Sequence, residues 1–358
     1  MFILGPNASG KSNFLDTVRF MRDVAKQGGG LQSAIRDRGG LSKIRSLAAR
    51  SQPDIQLAFE LGEPNADPEW RYELGITQQS RGYRQPILRY ERVFRTGQLI
   101  LDRPNGDDKY DELRLTQTHL EQINSNSEFR EIARFFETVR YLHLVPQLMR
   151  SPEAFTKGPT QPDEPFGRNF LEMVVKTPEK TRQYKLSKIE AALKEAVPQL
   201  RNLQVVKDET GVPHLEATYE HWRPNAGKQR EDQFSDGTIR MIGLFWSLLE
   251  GESPLLLEEP ELSLHSSIVE RLAPLFSKLQ AKRRRQILVS THSEELVGDK
   301  GIGAEEVVLL EPSKEGTTAV RLSDIPESTN FLKAGFSVAD FVMPRSAPSR
   351  LGQLALFE

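Results

Sequence analysis

The stretch that decides the fold is residues 1–16, MFILGPNASGKSNFLD. Four apolar residues run into the loop Gly5-Pro6-Asn7-Ala8-Ser9-Gly10-Lys11-Ser12. Phe14, Leu15, Val18, Met21, Val24 and Ala25 then recur at helical spacing until Gly28-Gly29-Gly30 breaks the pattern. The order is strand, loop, helix, which is the setting a phosphate-binding loop requires. Glycines let backbone N–H groups turn inward around phosphates, and the helix N-terminus adds partial positive charge. Lys11 reaches the β and γ phosphates, and the Ser12 hydroxyl supplies an oxygen for Mg²⁺. Asn7, Ala8, Ser9, Gly10 and Asn13 complete the loop and the turn after it. The spacing predicts binding of ATP or GTP.

Three later segments carry further chemistry. In PLLLEEPELSLH (residues 254–265), Glu258 and Glu259 end an apolar run. Adjacent carboxylates there are costly unless a cation or a bound water accounts for them, and a surface acidic turn is the plainer alternative. Glu258 suits Mg²⁺ held through water, and Glu259 suits polarising an attacking water. In QFSDGTIRMIGLFWSLLEG (residues 233–251), Ser235 stands at an N-cap position and Gly237 permits close backbone approach. This segment reads either as a capped core helix or as a second phosphate-holding helix start. In RRQILVSTHSEEL (residues 284–296), His292 follows an apolar strand, where ligands of open α/β sheets sit.

Between these segments, residues 54 to 115 alternate in short runs that predict an antiparallel sheet. FREIARFFETVRYLHLVPQLMR predicts a helix and then a strand ending at Val145-Pro146-Gln147. Residues 168 to 200 read as helices and 203 to 219 as a hairpin. Leu255–Leu257, Ile287–Val289 and Val307–Leu310 read as buried parallel strands, with a helical stripe between the first two. Past residue 325 the regular signals fade.

Composition sets bounds. The 358 residues are 37% apolar and 27% charged, ordinary for a globular protein. A net charge of −2 announces no global nucleic-acid binder, so any basic surface is local. The absence of cysteine excludes disulfides and thiolate metal sites. No apolar run approaches the roughly 18 residues of a membrane span, and the start lacks a secretory pattern, so a cytoplasmic protein is expected.

Taken in order, these segments resemble the head of an ABC-class ATPase, in the RecF/SMC/OLD-like branch that includes the AAA_21 type. The resemblance runs from residue 1 to about 310. It makes GPNASGKSN the Walker A loop, LLLEEPE the Walker B strand with its catalytic glutamate, and ELSLH the D-loop. SDGT takes the place of the signature and STHS that of the switch histidine. LHLVPQ resembles the glutamine loop, with Gln147 as a metal ligand beside Ser12 and Glu258.

The resemblance implies an α/β P-loop NTPase of ABC type, with a mixed sheet core, an antiparallel β subdomain and a compact helical lid. The implied domains are an ATPase lobe at 1–147, a lid at 148–234, the rest of the core at 235–325 and a tail at 326–358. ATP and Mg²⁺ are the implied cofactors, with Lys11, Glu259 and His292 catalytic. A head-to-head homodimer would sandwich two ATPs, each also touched by Ser235 and Gly237 of the other subunit. The family suggests DNA or a separately encoded effector such as a nuclease as partner, in DNA repair or phage defence. A transporter's energising subunit and a non-hydrolysing clamp are the alternatives, disfavoured by Ser-Asp-Gly-Thr and by Glu259 respectively.

Relatives carry about a strand pair ahead of the loop that helps to shelter the adenine base, so either the true start lies upstream of Met1, the favoured expectation, or the base is held by other parts. Lys282 to Arg285, Arg36, Lys43 and Arg45 are candidate phosphate contacts, although a solvated helix end is the plainer reading of the first run. The final GQLALFE resembles the peptide by which bacterial proteins dock on the sliding clamp, through Gln353, Leu354, Leu356 and Phe357, and a tail that packs back on its own domain is the equal alternative.

Overall fold

The apolar tetrad supplies β1 (Phe2–Leu4), buried on both faces, which is why it carries no polar residue. In the computed structural model, residues 1–46, 54–63, 66–79, 84–150, 164–220 and 227–347 are described. Further strands are β2 (Ile55–Leu61), β3 (Trp70–Gln78), β4 (Pro86–Arg95), β5 (Gln98–Arg103), β6 (Arg140–Leu142) and β7 (Leu200–Lys207). They continue with β8 (Pro213–Tyr219), β9 (Lys228–Arg230), β10 (Leu255–Glu258), β11 (Ile287–Ser290), β12 (Val307–Ser313) and β13 (Gly316–Arg321).

Two units divide the chain. The first comprises Met1–Lys11, Arg140–Leu310 and Ala319–Glu358, and the second Ser12–Val139 and Glu311–Thr318. A six-stranded sheet runs in the order β13-β12-β1-β11-β10-β6. β1 lies parallel between β11 and β12, with Phe2 opposite Val289 on one side and Val307 on the other. β10 lies parallel between β11 and β6, with Leu257 opposite Val289 and Leu142. Because these strands point the same way, the residues after β1, β6, β10 and β11 emerge at one edge, and that edge is the site. Helices Ser266–Val269 and Leu272–Arg283 make the crossover from β10 to β11 that a parallel pair needs.

Within the first unit, the segment expected as a helical lid holds helices Phe170–Lys176 and Glu179–Ala196 and the antiparallel sheet β7-β8-β9. Leu186, Ile189 and Leu193, at helical spacing, share one core with Leu200, Leu203 and Leu215. The fading of regular structure past residue 325 does not hold. Pro326–Lys333 is a helix with proline in its first turn, and Val338–Ser346 is a second. The second starts from a capping box between Ser337 and Asp340, and it buries Val338, Phe341 and Val342 in the main core.

The second unit has its own core. Its sheet runs β2-β3-β4-β5, antiparallel throughout. Phe20, Met21 and Val24 of helix Lys11–Ala25 belong to a cluster with Tyr72, Leu74, Val93 and Phe136. A buried ionic knot sits at the end of β5. Arg103 donates to Glu91 at 2.9 Å and to Asp108 at 2.8 Å, all three side chains being fully buried. Glu91 also accepts from the Tyr72 hydroxyl and from the backbone N–H groups of His119 and Leu120, so its lone pairs are well satisfied.

Candidate functional site

The loop after β1 has the backbone that its glycines predict. Gly5 (φ 152°) and Gly10 (φ 93°) lie where side chains are disfavoured, and Ala8 is left-handed at φ 62°. A Cβ on Gly5 would stand 2.7 Å from the Leu310 carbonyl oxygen and 2.8 Å from Ser9 Oγ, so the loop can pack here only as glycine. Lys11 Nζ donates to the carbonyls of Gly5 (3.1 Å) and Pro6 (3.0 Å), folding the ammonium over the loop. Burial pulls its pKa below the ordinary lysine value, while the carboxylates of Glu259 and Glu258 act in the opposite direction. The lysine and the acid pair therefore share one local field. Ser12 and Asn13 are exposed in the first turn of helix Lys11–Ala25.

Glu258 ends β10. The Tyr141 hydroxyl, from neighbouring β6, donates to its Oε2, and His143 Nδ1 lies 4.0 Å from the same oxygen. Glu259 adopts φ 44°, uncommon for a residue with a long side chain and typical of functional turns. Its N–H bonds the Ser290 carbonyl at 2.9 Å, its own carbonyl accepts from Arg240 Nη1 at 3.3 Å, and its carboxylate lies 3.9 Å from His292 Nε2. Burial and the Lys11 charge lower the His292 pKa against the opposing Glu259, which keeps the imidazole neutral at neutral pH. Glu261 ties the two loops. It accepts from the Thr291 hydroxyl and from the His292 N–H, and burial raises its pKa despite these bonds.

Ser235 caps helix Asp236–Leu248, its Oγ accepting from the Thr238 N–H at 3.2 Å. Gly237 abuts the D-loop-like turn, where a Cβ would meet the Ser263 carbonyl oxygen at 2.7 Å. Gln147 is not at a strand end as the sequence suggested. β6 stops at Leu142, Gln147 lies in the one-turn helix Pro146–Met149, and its amide donates to Asp236 at 3.1 Å. Arg150 grips the same carboxylate and the Phe234 carbonyl. Lys11, Glu258, Glu259 and His292 are thus gathered at the strand ends, while Gln147 joins Ser235 and Gly237 around the helix start.

Tyr141, His143, Arg150, Arg240 and Glu261 escaped the sequence reading. Only Tyr141 and His143 left a trace, their spacing of two placing both on one face of a strand. Within the basic run, Lys282 and Arg284 are exposed, whereas Arg283 donates to the Leu249 carbonyl. Arg285 is buried, donates to the carbonyls of Ser247 and Ser253, and has its pKa lowered to about 10 by burial. Gln353, Leu354, Leu356 and Phe357 lie outside the described residues. Among the described residues no helix is long and apolar enough to cross a membrane.

A phosphate-binding loop at the end of a central parallel strand, with an acid pair ending another strand and a histidine after the strand between them, defines a P-loop ATPase of ABC type. A family model described as "AAA domain, putative AbiEii toxin, Type IV TA system" matches residues 1–298, and the chain belongs to that family, AAA_21. Solved structures similar to it include an SMC head bound to the C-terminal winged-helix domain of ScpA, 13% identical, covering 90% of this chain and 91% of that one with a TM-score of 0.45. The SMC head domain from Thermotoga maritima is 13% identical, with 89% of each chain covered and a TM-score of 0.39. A Pyrococcus furiosus Smc head with an extended coiled coil, bound to the C-terminal domain of ScpA, is 12% identical over 93% and 92% with a TM-score of 0.41. Comparison with curated protein sequences gives no match.

Proposed function

We propose that this ABC-type ATPase binds ATP with Mg²⁺, hydrolyses it slowly, and uses the cycle to bring a pair of heads together and release them. The observation that carries the reading is the Glu259 carboxylate 3.9 Å from His292 Nε2, on the sheet edge that also carries the Lys11 loop. Glu259 is suited to take a proton from the attacking water. A neutral His292 can donate a hydrogen bond to a γ-phosphate oxygen or to that water. Lys11 leaves the carbonyls of Gly5 and Pro6 for phosphate oxygens. The donors suit Mg²⁺, since Glu258 and the Ser12 hydroxyl are the hard oxygens this ion takes. When bound, the ion would neutralise charge on the β and γ phosphates. Gln147 would join the ligands only by leaving Asp236.

Ser235 and Gly237 would meet the ATP of a second subunit, so that the γ-phosphate supplies the difference in affinity between closed and open states. The lobe, lid, core and tail boundaries implied by the resemblance are retained as the functional division. DNA is the favoured partner, in repair or in defence together with a separate effector. In support, a groove of about 460 Å³ in the second unit brings Arg45 and Arg84 together with Ser42, Thr77, Gln78 and Gln79, with no carboxylate among the described residues that line it. A cytoplasmic location accords with this reading.

The test is phosphate release by the purified chain with and without duplex DNA, Glu259→Gln serving as the blank. Turnover stimulated by DNA and lost in the variant is expected. Turnover equal in parent and variant would refute the assignment of Glu259, and turnover indifferent to DNA would redirect the search to a protein partner.

A further inference from the structure

We propose that Tyr141 is a positioning residue that orients the Glu258 carboxylate toward Mg²⁺, backed by His143, in the place that resemblance would give to Gln147. The proposal rests on the reading of Glu258 as the metal carboxylate.

Register makes the contact a property of the sheet. Tyr141 stands opposite Leu256 on parallel neighbours, so Glu258 is its diagonal neighbour two residues on, within reach of a long side chain on the same face. Continuing the same register brings His143 level with Glu258, and its Nδ1 stands 4.0 Å from Oε2. That nitrogen is buried, with no hydrogen-bond partner among the described residues. The ring is held edge-on against Phe166 at 6.0 Å between centroids. One carboxylate oxygen is therefore faced by a phenol and an imidazole from a single strand end, which restricts how the carboxylate can rotate.

The chemistry of the donor matters. A phenol stabilises the ionised carboxylate by hydrogen bonding and brings no positive charge that would oppose a divalent cation, as an arginine or lysine at this position would. Ligating carboxylates are themselves commonly fixed by such partners, and removal of the partner weakens metal binding. Gln147, meanwhile, is engaged by Asp236 at 3.1 Å. The end of β6 and the residue after it thus reach Glu258 through Tyr141 and His143.

The test uses the full-length chain with a non-hydrolysable ATP analogue and Mn²⁺ as the paramagnetic probe, its affinity read by electron paramagnetic resonance. Tyr141→Phe keeps the ring and its packing and removes only the donor. Its Mn²⁺ affinity is expected to fall about tenfold, with metal-free ATP binding unchanged within about twofold, a split that a merely structural role would not give. Mn²⁺ affinity unchanged in Tyr141→Phe but lost in Glu258→Gln would overturn the role of Tyr141 while leaving Glu258 as the metal carboxylate. A loss in Gln147→Ala with none in Tyr141→Phe would return the role to the glutamine. Full affinity in Glu258→Gln would remove the premise, and the proposal with it.

Discussion

Replacing Gly237 by alanine should separate turnover from nucleotide binding. The new Cβ would lie 2.7 Å from the Ser263 carbonyl oxygen, a backbone atom that cannot swing aside. Ordinary contact is about 3.4 Å, so the helix start and the facing turn must move apart by about 0.7 Å. Ser263 already sits at φ 62°, which narrows the ways its turn can yield. Overpacking of this size costs about 1–3 kcal/mol, and the melting temperature should drop by a few degrees. Displacements approaching an ångström at a reacting centre cost up to about a hundredfold in rate, so turnover should fall about ten- to hundredfold. ATP affinity of the separated subunit should stay within about twofold, because in the proposed pair the Lys11 loop and the Gly237 turn of one chain serve different nucleotides. The assay pairs phosphate release at saturating ATP with titration of a fluorescent ATP analogue, both well below the lowered melting temperature. Turnover within about twofold of the parent would refute the placement of the Ser235–Gly237 turn in the chemistry. An equal loss of ATP affinity would show that the turn and the loop form one binding structure.

Lys11→Ala should weaken ATP binding on the order of a hundredfold, since a charge-assisted contact to phosphate is worth about 3 kcal/mol; calorimetric titration reads this directly. Asp236→Ala removes the acceptor shared by Gln147 and Arg150, and thermal unfolding should register a loss of about 1–3 kcal/mol. The Arg103 knot makes a pH prediction. Burial alone would raise the Asp108 carboxyl, but hydrogen bonds from Arg103 and from the Asn105 N–H bring it from 3.8 down to about 2. A depressed folded-state pKa contributes stability that is full above 3.8 and is lost as the pH falls toward 2, about 2 kcal/mol in all. Urea unfolding followed at pH 2.5, 4 and 7 should show that slope in the parent and a flatter one in Asp108→Asn. The variant should be less stable at pH 7 by about 3–5 kcal/mol, because Arg103 is left buried with one of its two carboxylates.

Where the local structure of the candidate site is built from contiguous residues, it was legible in the sequence. The loop Gly5–Ser12, the pair Glu258–Glu259 and the Ser235 cap each declare themselves within a few positions, and the apolar runs before Glu258 and His292 marked parallel strands. Gln147 went astray because a strand end is a tertiary matter. Val145-Pro146 looks like the end of a strand, yet pairing with β10 stops at Leu142 and the proline starts a helical turn. The helices past residue 325 were masked by their Ser and Pro content, although Pro326 and the Ser337–Asp340 spacing are helix-start signals. The spacing of Tyr141 and His143 gave only a shared strand face, because nothing in a linear sequence says that β6 is the neighbour of β10. The Arg103 knot was hidden for the same reason. Its carboxylates come from β4 and from the turn after β5, and only folding brings them to one buried guanidinium.

The parallel placement of β1 has a consequence for synthesis. Its partners are Val289 and Val307, so the strand that leads into the phosphate loop leaves the ribosome well before its neighbours, which are made nearly 300 residues later. At about 5–20 residues per second, that delay is on the order of 15–60 s. Throughout it the apolar Phe2-Ile3-Leu4 has no sheet to enter, and the loop has no edge to stand on. A nascent chain therefore gains its nucleotide site only after β11 and β12 have emerged, and ATP can stabilise the first unit only from then on.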